Sequence, residues 1–184
     1  MSLLTNGPGG WVQTTNFVLS GLMVIAAAIG IGCALRPQSR VSGWILSCFG
    51  VGMLAAAIFP ADPVDGFPVG TPDGFPTTVS TSGLIHFAAA AIGFLALAVS
   101  CITVAVAMWR RQEAWMARLS FLSGIFIVAG FFAPALIPAS RPVAGIWFSV
   151  VVGWMWLALT SARLTRAAPG QRQPSFRRPV REWR

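Results

Sequence analysis

The side chains suited to chemistry are few, and most of them lie in one stretch, residues 58–94. This stretch contains Asp62, Asp65 and Asp73, three of the five acidic residues in the chain, together with His86, its one histidine. An imidazole and a carboxylate within hydrogen-bonding distance can exchange a proton with a substrate or orient a water. We therefore consider His86 and Asp62 as a catalytic acid/base pair. The alternative is that both are structural and tie a loop to the helix ends.

Metal binding is the other chemistry that these residue types support, and the sequence argues against it. A stable site needs three or four ligands, whereas the chain offers one histidine and three cysteines that lie within apolar segments without metal-binding spacing. Asp65 and Asp73 each precede a glycine, a dipeptide typical of turns. A calcium site built from the three aspartates is an alternative, although their spacing is not that of an EF-hand loop. We expect no metal and no cofactor.

The composition of the chain favours a lipid environment around it. Of 184 residues, 55% are hydrophobic and only 10% are charged, whereas a soluble domain carries about 25% charged residues. The net charge of +8 comes from arginine alone. The arginines lie at the ends of apolar segments and in the C-terminal region, so we do not expect a nucleic-acid partner. Membrane lipids are the expected partners.

Five apolar segments approach the roughly 20 residues that a membrane span needs. The sequence predicts an all-α polytopic transmembrane helix bundle with spans at about 17–35, 41–59, 83–109, 115–136 and 143–164. Residues 1–164 then form the transmembrane domain, with a loop at 60–82. Pro134 and Pro138 are expected to end the fourth span, and Pro142 to open the fifth. Residues 165–184 carry arginines and prolines with few apolar residues, which predicts a disordered basic tail that either sets the orientation or docks on anionic lipid headgroups.

The distribution of arginines predicts the orientation of the bundle. Arginines occur in the turns at 36–40 and 110–118 and from residue 163 onward, whereas loop 60–82 has none. The positive-inside rule places the arginine-bearing turns and the C-terminus in the cytoplasm, and the N-terminus and loop 60–82 outside. Gln13 and Asn16, expected to cap the first span, then join Arg141 on the outer face, with Trp11 as an interface anchor. These four residues are the predicted ligand-binding set beside Asp62 and His86.

Small residues recur four apart in several spans, and such stripes let helices approach closely. The first span carries Ala26, Gly30 and Ala34, and the fifth carries Gly145, Ser149 and Gly153. We expect both stripes to face other helices.

Three segments carry a family resemblance: GPGGWVQTTNF at 7–17, IFPADP at 58–63 and GLIH at 83–86. Together they resemble the bacterial membrane proteins grouped as domain of unknown function 998, over about residues 3–165. The resemblance implies a helical bundle in the bacterial inner membrane and picks out Asp62 and His86, with Trp11 and Asn16 behind them. It implies no reaction. It also implies six spans, so we expect this chain to lack the family's first helix, through a misassigned start or as a five-span variant.

These observations favour a non-catalytic protein that binds a lipid or other amphiphile, or acts as an accessory to another membrane protein. The expected site is an outward-facing polar pocket under loop 60–82, whose repeated DGFP segments place Phe67 and Phe75 as a lid or as a lipid-facing plug. One alternative is a membrane enzyme that acts on a lipid or headgroup through His86 and Asp62. A small transporter component is a further alternative. Besides lipids, the expected partners include another membrane protein or a second copy of the chain.

Overall fold

The computed structural model describes residues 2–39, 41–74, 78–136 and 142–167, with side chains outside 133–143. After a short 3₁₀ turn at Ser2–Asn6, the chain forms five α-helices. They are α1 Gly10–Ala34, α2 Ser42–Ile58, α3 Thr81–Arg110, α4 Ala114–Leu136 and α5 Pro142–Arg166. Within the described ranges the β-structure amounts to one isolated bridge, Val64–Phe67. The prediction of an all-α bundle is confirmed.

Four of the helices are long and apolar enough to cross a membrane, namely α1, α3, α4 and α5. Helix α2 is shorter, with 17 residues. At 1.5 Å per residue it extends about 25 Å, at the lower limit for a span. The chain is a multi-pass membrane protein.

The first helix begins earlier than predicted. The turn-rich sequence produces a turn at residues 7–9, as expected, but α1 starts at Gly10 rather than near residue 17. Between Pro8 and the end of α1 the sequence has no proline that would interrupt the helix. The Thr14 hydroxyl donates to the Gly10 carbonyl at 3.1 Å, so polar side chains are accommodated in the first turns. Gln13 and Asn16 therefore lie inside the helix, and the prediction that they cap it is wrong.

The ends of the other four helices lie within two residues of the predicted spans. Helix α4 ends at Leu136, between Pro134 and Pro138, as predicted. Proline lacks its own N–H and clashes with the preceding turn, so it disfavours continuation of the helix. Pro142 opens α5 as predicted. Pro138, Arg141 and residues 168–184 of the predicted tail lie outside the described residues.

Consecutive helices pack antiparallel, and α1 also meets α5 along a less extensive seam. One end of the bundle carries the connection 59–80 and is called the loop end. The other end carries the turns at 35–41 and 111–113 and is called the arginine end. The Arg111 guanidinium there donates to the carbonyl of Ala34, the last residue of α1, at 2.6 Å and to Gln38 Oε1 at 2.9 Å. The Arg163 Nε lies 2.9 Å from Glu113 Oε2, an ion pair that joins α5 to the turn before α4.

Glycines set the distance between neighbouring helices. A Cβ atom on Gly43 of α2 would lie 2.6 Å from the Ala28 carbonyl oxygen and 3.0 Å from the Gly32 Cα of α1. A Cβ on Gly52 would lie 2.9 Å from the Ala89 carbonyl oxygen of α3. Only a residue without a side chain allows backbones to come this close.

One predicted stripe packs as expected, and the other does not. Ser149 and Gly153 of α5 are buried, and the Ser149 hydroxyl donates to the Ile127 carbonyl of α4 at 3.0 Å. Ala26, Gly30 and Ala34 of α1 are exposed instead. The face of α1 that contacts α2 holds Ala28 and Gly32 instead. Each lies two positions after a residue of the predicted stripe, which is about 200° around the helix. No described helix covers Ala26, Gly30 and Ala34, so the expectation that another helix faces this stripe stays a prediction.

Candidate binding cavity at the loop end

The connection 59–80 folds back on itself and rests on the N-terminal segment. Val64 pairs with Phe67 around Asp65 and Gly66, whose φ angles of 51° and 74° are left-handed. The predicted Asp65–Gly66 turn is confirmed. The Phe67 ring packs against Gly7, where an added Cβ would meet its Cζ at 2.9 Å. This contact is with the protein rather than with lipid, whereas Phe75 lies outside the described residues.

Asp62 holds the first turn of α3. Its Oδ2 atom accepts a hydrogen bond from the backbone N–H of Ser80 at 3.0 Å, and the Ser80 hydroxyl accepts from the N–H of Gly83 at 3.0 Å. The carboxylate lies against Gly83, where a Cβ would overlap Oδ2. The two side chains thus satisfy N–H groups that the helix start leaves unpaired. A negative charge is also favoured at a helix N-terminus.

His86 lies one turn further along α3 and joins it to the end of α2. The ring is 2% exposed, and its Nδ1 lies 2.8 Å from the carbonyl oxygen of Phe59, the C-cap residue of α2. Because a carbonyl only accepts, Nδ1 carries the proton and donates. Phe17 and Phe87 pack edge-on against the imidazole, with centroids 6.4 and 5.9 Å away. Among the described side chains, no hydrogen bond joins Asp62 to His86.

A cavity of about 240 Å³ lies beside His86, between α1, α2, α3 and α5. Its polar groups come from Gln13, Asn16 and Ser20 of α1, from His86 and from Ser2. The remaining lining is apolar and consists of Phe17, Phe49, Gly52, Met53, Ala56, Ala89, Ala90, Gly93, Phe94, Ile146, Val150 and Trp154. The expectation of a polar pocket is therefore wrong: the cavity is largely apolar, with polar groups towards the loop end.

The structure gathers part of the predicted site. Gln13, Asn16 and His86 line the cavity together. Trp11 is 73% exposed and lies outside the lining, and Asp62 is engaged at the start of α3. Arg141 lies outside the described residues. No group of three histidine, cysteine, aspartate or glutamate side chains within the described ranges is placed to hold a metal ion.

Sequence reasoning did not predict two parts of the cavity lining. Ser20 follows Gln13 and Asn16 at the spacing of one helix face, and this polar stripe becomes readable once α1 starts at Gly10. The apolar wall, with Phe49, Phe94 and Trp154, gives no such signal. Every span is apolar all around, so composition alone does not separate a cavity wall from a lipid-facing surface.

The fold defines a multi-pass α-helical membrane protein, with a cavity of mostly apolar lining between its helices. A family model described as "Protein of unknown function (DUF998)" matches residues 1–163. The chain belongs to this family, and the resemblance seen in its three segments is confirmed. No curated protein matches the chain, and no solved structure does.

Proposed function

We propose that this protein binds an amphiphile in the loop-end cavity and does not catalyse a reaction. The observation that carries the proposal is the asymmetry of the lining. Gln13, Asn16 and His86 supply hydrogen-bonding groups on the loop side, and aromatic and aliphatic side chains such as Phe94 and Trp154 form the deeper wall. Apolar walls with a few placed polar groups are typical of small-molecule sites.

The volume supports partial enclosure of the ligand. About 240 Å³ is below the roughly 300–1,000 Å³ of pockets that enclose a drug-sized molecule. The headgroup and the first part of the chain occupy the cavity, and the rest of the chain leaves it towards lipid. The seam between α1 and α5 is the proposed opening, because these two helices pack less extensively than consecutive helices do.

The acid/base alternative has less support from the geometry. Asp62 is committed to the Ser80 N–H and His86 Nδ1 to the Phe59 carbonyl. Both contacts have a structural explanation, because they connect the loop to the ends of the helices. Exchanging Asp62 for Asn and His86 for Gln tests the enzyme hypothesis, which requires both variants to lose a cellular phenotype while they remain folded.

We place the protein in the bacterial inner membrane with the loop end outside and the arginine end in the cytoplasm. The support is charge asymmetry: Arg36, Arg110, Arg111 and Arg163 lie at one end, whereas residues 59–74 hold no arginine, and cytoplasmic turns are enriched in basic residues. Val69 is fully exposed in the loop, so a Val69→Cys variant without native cysteines should react with an impermeant maleimide in intact cells. Reaction only after lysis would reverse the orientation.

The binding proposal is tested by native mass spectrometry of protein extracted in mild detergent. The wild type should retain an amphiphile. Ala90 lines the cavity, whereas Ala88 of the same helix is exposed on the outside of the bundle. Ala90→Phe should therefore lose the retained molecule by filling the cavity, and Ala88→Phe should keep it. An empty wild type, or equal retention in the two variants, would reject the proposal.

A further inference from the structure

We infer that the cavity selects an uncharged amphiphile with a hydroxyl headgroup, such as a long-chain alcohol, a phenol or a hydroquinone. This inference rests on the proposed function and narrows it to a ligand class. The features that carry it are the fixed orientation of the His86 imidazole, the amide of Asn16 and the absence of charge in the described lining of the cavity.

His86 presents a hydrogen-bond acceptor to the ligand. Its Nδ1–H donates to the Phe59 carbonyl, and in the neutral ring the lone pair then lies on Nε2. No hydrogen bond occupies Nε2 among the described residues, although the ring is 2% exposed and lines the cavity. A ligand that brings a donor to Nε2 would form a hydrogen bond that the described residues do not supply.

Asn16 presents the complementary donor. Asn16 Oδ1 accepts a long hydrogen bond from the Ser20 hydroxyl at 3.4 Å, and no described residue accepts from its Nδ2. A hydroxyl can donate to His86 Nε2 and accept from Asn16 Nδ2 at the same oxygen. An ether, a ketone or an ester has lone pairs only and would place one of them against the lone pair of Nε2.

The described lining carries no charged side chain to balance an anionic amphiphile, and anionic amphiphiles are common in membranes. None of the described residues that line the cavity is arginine, lysine, aspartate or glutamate. A carboxylate or a phosphate placed there would lose hydration without an opposite charge, which is far more costly than burying a hydroxyl. The described arginines, among them Arg111 and Arg163, lie at the arginine end of the bundle, whereas Arg141, predicted at the loop end, lies outside the described residues.

The test compares three ligands of equal chain length on the wild-type protein in nanodiscs, with affinities measured by native mass spectrometry. They are hexadecanol, hexadecyl methyl ether and hexadecanoate. Hexadecanol should bind up to about tenfold more tightly than the ether, because the ether lacks the O–H donor, and tenfold corresponds to about 1.4 kcal/mol, the upper range for one net hydrogen bond. Hexadecanoate should bind more weakly than both.

The outcomes separate this inference from the proposed function. Equal affinity for hexadecanol and its ether, or the tightest binding for hexadecanoate, overturns the ligand class and leaves amphiphile binding in place. Failure of all three to bind overturns both. His86→Phe keeps a ring of similar shape without Nε2, so the preference for hexadecanol over the ether should disappear. If that variant does not fold, Asn16→Leu removes the donor on α1 and should weaken hexadecanol and its ether alike, because both oxygens accept; unchanged affinities would overturn the assigned donor.

Discussion

Replacing Gly83 with alanine should destabilise the loop end of α3, although alanine is the better helix former. The added Cβ would occupy the place of the Asp62 carboxylate, which lies directly against Gly83. The carboxylate would have to move away from the helix start and release the Ser80 N–H, whose hydrogen bond it accepts at 3.0 Å. The change is therefore a test of whether Asp62 holds this helix end.

The magnitude follows from the two interactions that the displaced carboxylate would give up. A hydrogen bond to a charged acceptor contributes about 1.5 kcal/mol at an exposed site. The negative charge at the N-terminus of α3 adds about 0.5 kcal/mol. Alanine returns up to about 1 kcal/mol of helix propensity, so Gly83→Ala should lower the free energy of unfolding by about 1–2 kcal/mol. Asp62→Ala should lower it by about 2 kcal/mol, since it removes the hydrogen bond and the charge without any gain in helix propensity.

The assay is equilibrium unfolding of the purified protein in mixed micelles with increasing SDS, followed by circular dichroism. Gly30 is the matched control, because a Cβ there meets nothing within 4 Å, and Gly30→Ala should be neutral or stabilising. In an Asp62→Ala background Gly83→Ala should cost nothing, which gives a coupling energy of about 1–2 kcal/mol between the two positions. Equal effects of Gly83→Ala and Gly30→Ala, or additive effects of the Asp62 and Gly83 changes, would refute the reasoning.

Three further predictions concern the rest of the bundle. Arg111→Leu should cost about 1 kcal/mol in the same unfolding assay, because the Ala34 carbonyl loses its donor at the end of α1; no change in stability would show that water replaces the guanidinium. Gly43→Ala should cost about 1–3 kcal/mol, since its Cβ would lie 2.6 Å from the Ala28 carbonyl, and an unchanged midpoint would contradict the close packing of α1 and α2. Cys101 is fully buried, so N-ethylmaleimide should leave it unlabelled in mild detergent and label it in SDS, as measured by peptide mass spectrometry.

The sequence predicts the helical elements well because their signals are local. Long apolar runs bounded by prolines, arginines and turn dipeptides define five helices. For four of them, both the first and the last residue lie within two positions of the prediction. The error at α1 has a physical cause. Residues 13–16 are polar, and polar composition predicts a loop, whereas these side chains line a cavity or are partly or fully exposed while the backbone stays helical.

The candidate site is predicted in part. Helix direction alone places Gln13, Asn16 and His86 at one end of the bundle, and they do line one cavity. The suggested contact between His86 and Asp62 is not formed, because each finds a nearer backbone partner, the Phe59 carbonyl and the Ser80 N–H. Such choices depend on how the loop returns to the helix start, and no spacing in the sequence encodes that path.

The sequence by itself determined that this is a five-helix membrane protein of the DUF998 family, which residues are polar, and which lie near the loop end. The tertiary structure alone decided which side of each helix is buried. The physical reason is that a membrane helix is apolar on every side, so no hydrophobic stripe marks its inner face. Contacts between small residues make that choice instead. They bring Ala28 and Gly32 of α1 against α2, leave Gly30 exposed, and turn Asn16 and Phe17 towards the cavity beside His86.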